Sequence, residues 1–129
     1  MEKIIVVSGP VIVENNKVLL AISGNDDFWK FCGGKAGEAE DLLETAKKRI
    51  KEELNLDIKI INQEPFLLHV KKPGNEDVDV LLAHYLSERI GEPTAGAENK
   101  DWRWFDVNDL PENIAPNIIP TLKHFKFLV

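Results

Sequence analysis

Two adjacent glutamates, Glu52 and Glu53, are the side chains in this sequence best suited to catalysis. They follow Arg49 by three and four residues, a spacing that places all three on one face of a helix. Paired carboxylates are hard oxygen ligands of the kind that Mg²⁺ takes together with water and substrate phosphates. The glycine-containing segment 34–37 lies upstream, and its glycines allow the backbone to pass close to a ligand. The pattern therefore predicts a metal and ligand site near the end of a helix that follows a glycine loop.

The helix that carries these carboxylates is predicted over Glu40 to Leu54. Its apolar residues recur at helical spacing and form one stripe: Leu42, Leu43, Ala46, Ile50 and Leu54. Asn55 is suited to cap the C-terminus, because asparagine tolerates the left-handed backbone conformation.

Short apolar runs predict the strands, at residues 4–7, 11–13, 18–22, 58–61, 66–70, 78–86 and 102–105. Residues 14–17 and 71–77 are predicted to be turns, and 88–100 a polar loop. The run 78–86 is apolar on both faces and is expected to be buried. A terminal helix is predicted over Asn117 to Leu128, with Asn117 as a candidate N-cap and Pro120 in the first turn. These elements indicate an α/β fold, a mixed sheet between helices, formed by one domain over residues 1–129.

Composition excludes several classes of protein. The net charge of −6 argues against a general nucleic-acid binder, whereas a small phosphorylated ligand remains compatible because bound Mg²⁺ can supply positive charge locally. No apolar run approaches the ~20 residues that span a bilayer, and the short apolar stretch after the N-terminus lacks a cleavage site. Cys32 is the only cysteine, so there is no internal disulfide. We therefore expect a cytoplasmic protein without a membrane segment.

The loop and helix resemble the signature of the Nudix hydrolase family. That signature is Gly, five residues, Glu, seven residues, Arg-Glu, an aliphatic, any residue, Glu-Glu, any residue, Gly, an aliphatic. The positions that fall on this frame are Gly34, Glu40, Ile50, Glu52, Glu53 and Leu56. The segment 29–34 is similar to the family's Trp-x-Phe-Pro-Gly-Gly, with Cys32 in place of Pro, and 104–111 is similar to its downstream Trp-Phe and Glu-Leu-Pro element.

The resemblance implies a fold, an activity and a cofactor. The fold would be the Nudix α/β/α sandwich with a mixed β-sheet. The activity would be cleavage of a diphosphate linkage in a nucleoside diphosphate derivative, with Mg²⁺ or Mn²⁺ as cofactor. Homodimers are frequent in the family, so a homodimer is also compatible.

Three signature positions differ from the family pattern. Asn55 replaces Gly, which is a mild structural change, and Lys48 replaces Arg, which removes a bidentate donor. Arg49 replaces a glutamate that binds metal in the family. A positive charge about 5 Å from a divalent cation costs on the order of 7 kcal/mol at an effective dielectric of ~20, before solvent screening reduces it.

Two interpretations follow. In the first, Glu52 and Glu53 are the catalytic residues and hold Mg²⁺ or Mn²⁺ together with Glu40 and a loop carboxylate, Glu98. In the second, Arg49 pairs with the two glutamates, and the chain is a nucleotide- or partner-binding domain without hydrolysis. The glycine loop and both later glutamates are present together, which favours the first.

The substrate-binding residues that the resemblance suggests are Gly33, Gly34, Lys35 and Trp29. Lys35 could contact a phosphate as a point charge. Trp29 could stack on a nucleobase or pack against the loop, and the sequence leaves these alternatives open. Specificity in this fold depends on loops such as 23–27 and 88–100, whose ligands the sequence does not name.

Overall fold

The computed structural model describes residues 3–72 and 74–129. The elements in chain order are β1 (Ile4–Glu14), β2 (Lys17–Ser23), β3 (Gly34–Lys35), α1 (Leu42–Leu54), β4 (Asp57–Ile60), β5 (Phe66–Lys72), β6 (Asn75–Ile90), β7 (Asn99–Asp106) and α2 (Ile118–His124). No helix among the described residues is both long and apolar enough to cross a membrane.

The strands form one mixed sheet in the order β4-β6-β1-β2-β7. The short β3 pairs with β1, and β5 pairs with β6. β1 and β6 run parallel, whereas the other pairs are antiparallel. This confirms the predicted mixed sheet.

The two helices cover opposite faces of the sheet. Successive side chains on a strand point to opposite faces, and β1 shows this at Val11 and Ile12. Val11 packs in the cluster that contains Ile118 of α2, whereas Ile12 packs in the cluster that contains Ile50 of α1. The arrangement confirms the predicted α/β/α sandwich.

The predicted turn between β1 and β2 is a two-residue hairpin turn. Glu14 pairs with Lys17, and Asn15 and Asn16 adopt φ angles of 50° and 67°. Two consecutive positive φ angles match the right-handed twist of the flanking strands, and asparagine tolerates them better than most residues.

The helix α1 begins later than predicted. Asp41 is its N-cap, and the Asp41 side chain accepts hydrogen bonds from the backbone N–H groups of Leu43 and Glu44. Glu40 therefore precedes the helix. The C-terminal prediction is confirmed, because Asn55 has a φ of 51° in the left-handed region and its N–H donates to the Lys51 carbonyl.

The predicted terminal helix is too long. Only Ile118–His124 is helical, and the Phe127 N–H turns back to the Leu122 carbonyl at 2.9 Å. Asn117 makes no side-chain cap, because its amide hydrogen-bonds to His84 instead. Pro120 does lie in the first turn, as expected.

The strand β6 is longer and less buried than predicted. The predicted turn 71–77 is too wide, since residues 71–72 belong to β5 and 75–77 to β6; Pro73 lies outside the described residues. Residues 88–90 and 99–100, predicted as loop, also lie in strands. Leu81 is 42% exposed, so the strand is not buried on both faces.

Candidate functional site

A cavity of about 300 Å³ lies beside the glycine loop. The sheet supplies one wall through β1, β5 and β6, and the segment 115–117 before α2 supplies another. The apolar side chains that line the cavity are Val7, Phe28, Phe31, Val70, Val80 and Leu82. Its polar lining comes from Lys30, Lys35, His84 and Asn117, together with the backbone of Gly33 and Gly34. A largely apolar cavity with a few polar groups is the usual form of a small-molecule site.

His84 and Asn117 form the buried polar pair of this cavity. Nδ1 of His84 lies 3.0 Å from the Phe66 carbonyl oxygen, and its Nε2 lies 2.9 Å from Nδ2 of Asn117. Burial lowers the pKa of His84. A neutral ring in which Nδ1–H donates to Phe66 and Nε2 accepts from Asn117 satisfies both contacts.

The glycine loop lies directly on β1. A Cβ atom on Gly9 would be 2.1 Å from the Cys32 carbonyl oxygen, and one on Gly33 would be 2.8 Å from the Ser8 carbonyl oxygen. Because the two backbones approach so closely, glycine is required on both sides. The loop backbone is therefore held in place where it borders the cavity.

Glu53 points from α1 into the body of the protein. It is only 7% exposed. Burial raises the pKa of its carboxyl, and interactions with Lys30, Ser23 and the Gly33 N–H oppose that shift. Its Oε2 is buried without a hydrogen-bond partner among the described residues.

Arg49 joins α1 to the glycine loop. Its Nη1 donates to Glu52 Oε1 at 2.9 Å, and its Nη2 donates to the Lys35 carbonyl oxygen at 2.7 Å. The side chain passes over Gly34, where an added Cβ would lie 2.9 Å from Arg49 Cδ. The predicted pairing with Glu52 is therefore present, whereas Arg49 forms no ion pair with Glu53 among the described residues.

The other two proposed metal ligands are engaged elsewhere or exposed. Glu40 Oε1 accepts from the Thr45 hydroxyl at 2.6 Å, and its Oε2 accepts from the Gly37 N–H at 3.1 Å. The Thr45 hydrogen bond, then the Gly37 hydrogen bond, lowers the pKa of Glu40. Glu98 is exposed, and its backbone carbonyl accepts from the Gly24 N–H at 2.9 Å.

A model of the NUDIX domain matches residues 3–125. The chain belongs to the Nudix family. No curated protein sequence shows a significant match.

Solved Nudix structures share the fold. A MutT NUDIX hydrolase from Burkholderia pseudomallei superposes with a TM-score of 0.79 at 22% identity, covering 95% of this chain and 98% of that one. A NUDIX-family hydrolase from Clostridium perfringens gives 0.74 at 19% identity, covering 98% and 99%. An ADP-ribose pyrophosphatase from Streptococcus suis gives 0.68 at 20% identity, covering 95% and 92%.

Nudix hydrolases generally use divalent metal ions, but the donor set in this chain does not fit one. Within residues 3–72 and 74–129, no three His, Cys, Asp or Glu side chains come together in a way that could hold a metal ion. Glu52 forms an ion pair with Arg49, and the Glu40 carboxylate accepts hydrogen bonds from the Thr45 hydroxyl and the Gly37 N–H. Mg²⁺ would have to compete with a guanidinium for the oxygens at this position.

Trp29 lies in the core and does not line the cavity. It is 6% exposed and packs edge-on against Phe105, with ring centroids 4.8 Å apart. Of the suggested binding residues, Gly33, Gly34 and Lys35 line the cavity together. The sequence pattern did not single out the aromatics Phe28 and Phe31, although both lie within two residues of Trp29. It also missed His84 and Asn117, which no local pattern links.

Proposed function

We propose that this chain binds a nucleoside diphosphate derivative in the cavity beside the glycine loop and does not hydrolyse it by the metal-dependent route of the family. The observation that carries the proposal is the cavity itself. It combines aromatic and aliphatic walls with two lysines and a glycine loop at one side.

The apolar walls suit a nucleoside. Phe28 and Phe31 supply aromatic surface, and His84 and Asn117 supply polar atoms among apolar neighbours. The volume of about 300 Å³ is at the lower end of the range of ~300–1,000 Å³ for small-molecule sites. It accommodates part of a ligand, and the rest would extend over the loop.

The loop side suits phosphates. Lys30 and Lys35 line the cavity next to Gly33 and Gly34, and a phosphate can approach backbone closely where side chains are absent. The ADP-ribose pyrophosphatase with the same fold provides one example of the ligand class.

The carboxylates argue for binding without hydrolysis. The Glu52 carboxylate is held by Arg49 at 2.9 Å, and Glu53 is turned towards Ser23 and Gly33 and is buried. Arg49 also occupies the position at which the family signature has a metal-binding glutamate.

Metal-dependent hydrolysis of a diphosphate linkage is the second candidate. The observation that favours it is Glu53, a buried carboxylate with one unpartnered oxygen directly beside the glycine loop. Glu52 and Glu53 would then hold Mg²⁺ or Mn²⁺, with Glu40 and Glu98 as further ligands. This candidate requires Arg49 to leave both Glu52 and the Lys35 carbonyl.

Turnover and binding on one panel separate the candidates. The panel contains ADP-ribose, a nucleoside triphosphate, a nucleotide sugar and a dinucleotide, each with Mg²⁺ and then with Mn²⁺. We expect the natural protein to bind at least one compound and to release no phosphate-containing product. Turnover by the natural protein that Glu53→Gln abolishes would establish the second candidate instead.

The binding half of the proposal has its own control. Leu82→Glu places a charge in the apolar wall and should abolish binding, whereas Lys47→Glu, on the exposed side of α1, should not. If no compound of the panel binds under any condition, the proposed function is wrong.

A further inference from the structure

We infer that the Arg49 guanidinium takes the place of a divalent cation at the junction of the glycine loop and α1. It prevents metal binding there and itself binds a phosphate of the ligand. The inference deepens the proposed function and rests on it for the class of ligand.

The first support is the pair of oxygens that Arg49 holds. Glu52 Oε1 is a helix carboxylate oxygen and the Lys35 oxygen is a loop carbonyl, and both kinds are ligands of hard divalent cations. The guanidinium contacts both at 2.9 and 2.7 Å. It therefore makes the link between loop and helix that a bound metal ion would make, and its charge repels a second cation from the same oxygens.

The second support is the fit between the arginine stem and the loop. A Cβ on Gly34 would lie 2.9, 3.1 and 3.2 Å from Arg49 Cδ, Nε and Cγ. The aliphatic part of the Arg49 side chain therefore packs against the backbone at Gly34, where the Cβ of any other residue would crowd it. The Arg49 side chain is 29% exposed, so most of its surface is packed against the protein.

The third support is the number of donors that remain. A guanidinium has five N–H groups in a planar fork that matches phosphate oxygens. The structure uses one Nη1 and one Nη2 hydrogen bond for Glu52 and Lys35. Nε is buried without a hydrogen-bond partner among the described residues, so the donors that remain for a ligand are the second N–H groups of Nη1 and Nη2. The side chain that carries them lies beside Gly34 and Lys35, which border the cavity. A phosphate over the loop would lie within reach of these donors.

Metal binding to the whole chain tests the first half of the inference. Mn²⁺ is titrated calorimetrically into the natural protein, Arg49→Glu and the matched control Lys47→Glu, which makes the same charge change on the exposed side of α1. We expect no saturable binding below millimolar Mn²⁺ for the natural protein and for the control, and binding at least tenfold tighter for Arg49→Glu. Micromolar binding by the natural protein that is lost in Glu53→Gln would overturn the inference.

Inorganic pyrophosphate tests the second half without a nucleoside or a metal. In EDTA, the natural protein should bind pyrophosphate, Arg49→Gln should bind it at least tenfold more weakly, and Arg49→Lys should fall between them. The variant Lys47→Gln is the matched control and should bind like the natural protein. Circular dichroism and thermal unfolding confirm that each variant is folded, and Arg49→Lys keeps the charge should Arg49→Gln unfold.

Two results would refute the phosphate role. These are a natural protein that binds no pyrophosphate in EDTA, and an Arg49→Gln variant that binds as tightly as the natural protein. The failures remain distinguishable, because pyrophosphate binding without binding of any nucleoside derivative supports the inference and rejects the proposed function. Binding of a nucleoside derivative only in the presence of Mn²⁺ supports the proposed ligand class and rejects the inference.

Discussion

The cavity and the loop–helix junction lie on two sides of the same glycine loop, but different interactions build them. The cavity is assembled from residues far apart in sequence, such as Phe31, Val80 and Asn117, which meet only through the sheet and the segment before α2. The junction depends on neighbours along one helix and the loop before it, with Arg49 three residues from Glu52. The cavity keeps the apolar character of a ligand site, whereas a single charge reversal changes the chemistry of the junction.

The two regions therefore differ in how they should respond to substitution. Apolar walls contribute to the stability of the core, so changes there affect folding as well as binding. A partly exposed charge on a helix can change sign with little cost to folding, because exposed ion pairs contribute only ~0–1 kcal/mol. We therefore expect substitutions on the cavity side to reduce stability most, and substitutions at the junction to alter binding with less effect on stability.

The largest expected effect on stability is that of Phe31→Ala. Phe31 is 7% exposed and belongs to the core cluster under α2. Removal of a buried phenylalanine side chain costs about 3–5 kcal/mol, and the same variant should lose ligand binding. Urea unfolding measures the stability change. A decrease in the free energy of unfolding below about 1 kcal/mol would show that Phe31, in the cavity wall, contributes little to the stability of the core.

Gly9→Ala should have the next largest effect, a decrease of about 1–3 kcal/mol or more in the free energy of unfolding from overpacking. Its Cβ would lie 2.1 Å from the Cys32 carbonyl, a backbone atom that cannot turn aside. Gly34→Ala is the matched substitution at the junction, where the added Cβ meets the flexible Arg49 stem at 2.9 Å. Thermal unfolding of the two variants should therefore show the larger loss for Gly9→Ala, and the reverse order would contradict the comparison.

Asp41→Ala should cost about 1 kcal/mol, the usual value of a lost N-cap. Asp41 accepts hydrogen bonds from the N–H groups of Leu43 and Glu44 at the start of α1. It does not line the cavity, so pyrophosphate and nucleotide affinities should not change. Urea unfolding and binding calorimetry on the same sample check both statements, and a binding loss without a stability loss would assign Asp41 a different role.

The smallest expected effect is a pH dependence from His84 on the cavity side. Burial lowers its pKa in the folded protein below its ordinary value of 6.5. Between these two values the unfolded chain binds more protons, so stability rises with pH there and is lost as the pH falls through 6.5. Melting temperatures from pH 8 to pH 5 should show this decline, and His84→Gln should flatten it. An unchanged slope in that variant would assign the pH dependence to other groups.

Several features of the loop–helix junction could be predicted from sequence, because they depend on residues close together along the chain. Helical spacing predicted α1 and the contact of Arg49 with Glu52, since residues three apart on a helix are neighbours in any fold. Asn55 was correctly expected in the left-handed conformation. The predicted start of α1 at Glu40 was wrong. Asp41 is the N-cap, and the Glu40 carboxylate accepts hydrogen bonds from Thr45 and Gly37.

Longer-range features could not be predicted in the same way. Gly96 is one example: its N–H donates to the Glu53 carbonyl at 2.7 Å, which brings the segment before β7 onto the end of α1. Leu81 is another, since its strand has an apolar sequence but α1 leaves that part of the sheet face open. Neither the Gly96 hydrogen bond nor the exposure of Leu81 is indicated by the residues that flank it in sequence.

Residue periodicity and motif spacing were enough to predict the mixed sheet between two helices, the glycine loop and the helix with its paired carboxylates. The resemblance to the Nudix signature identified the charge reversal at Arg49. Patterns of this kind act over a few residues. The packing of elements distant in sequence placed Trp29 in the core, Phe28 and Phe31 in the lining of a cavity, and His84 in hydrogen-bond contact with Asn117. It also placed the Arg49 guanidinium on the Lys35 carbonyl. Such contacts depend on how β1, β5 and β6 pair and on where α2 packs, and pairing over tens of residues is not encoded in any local pattern.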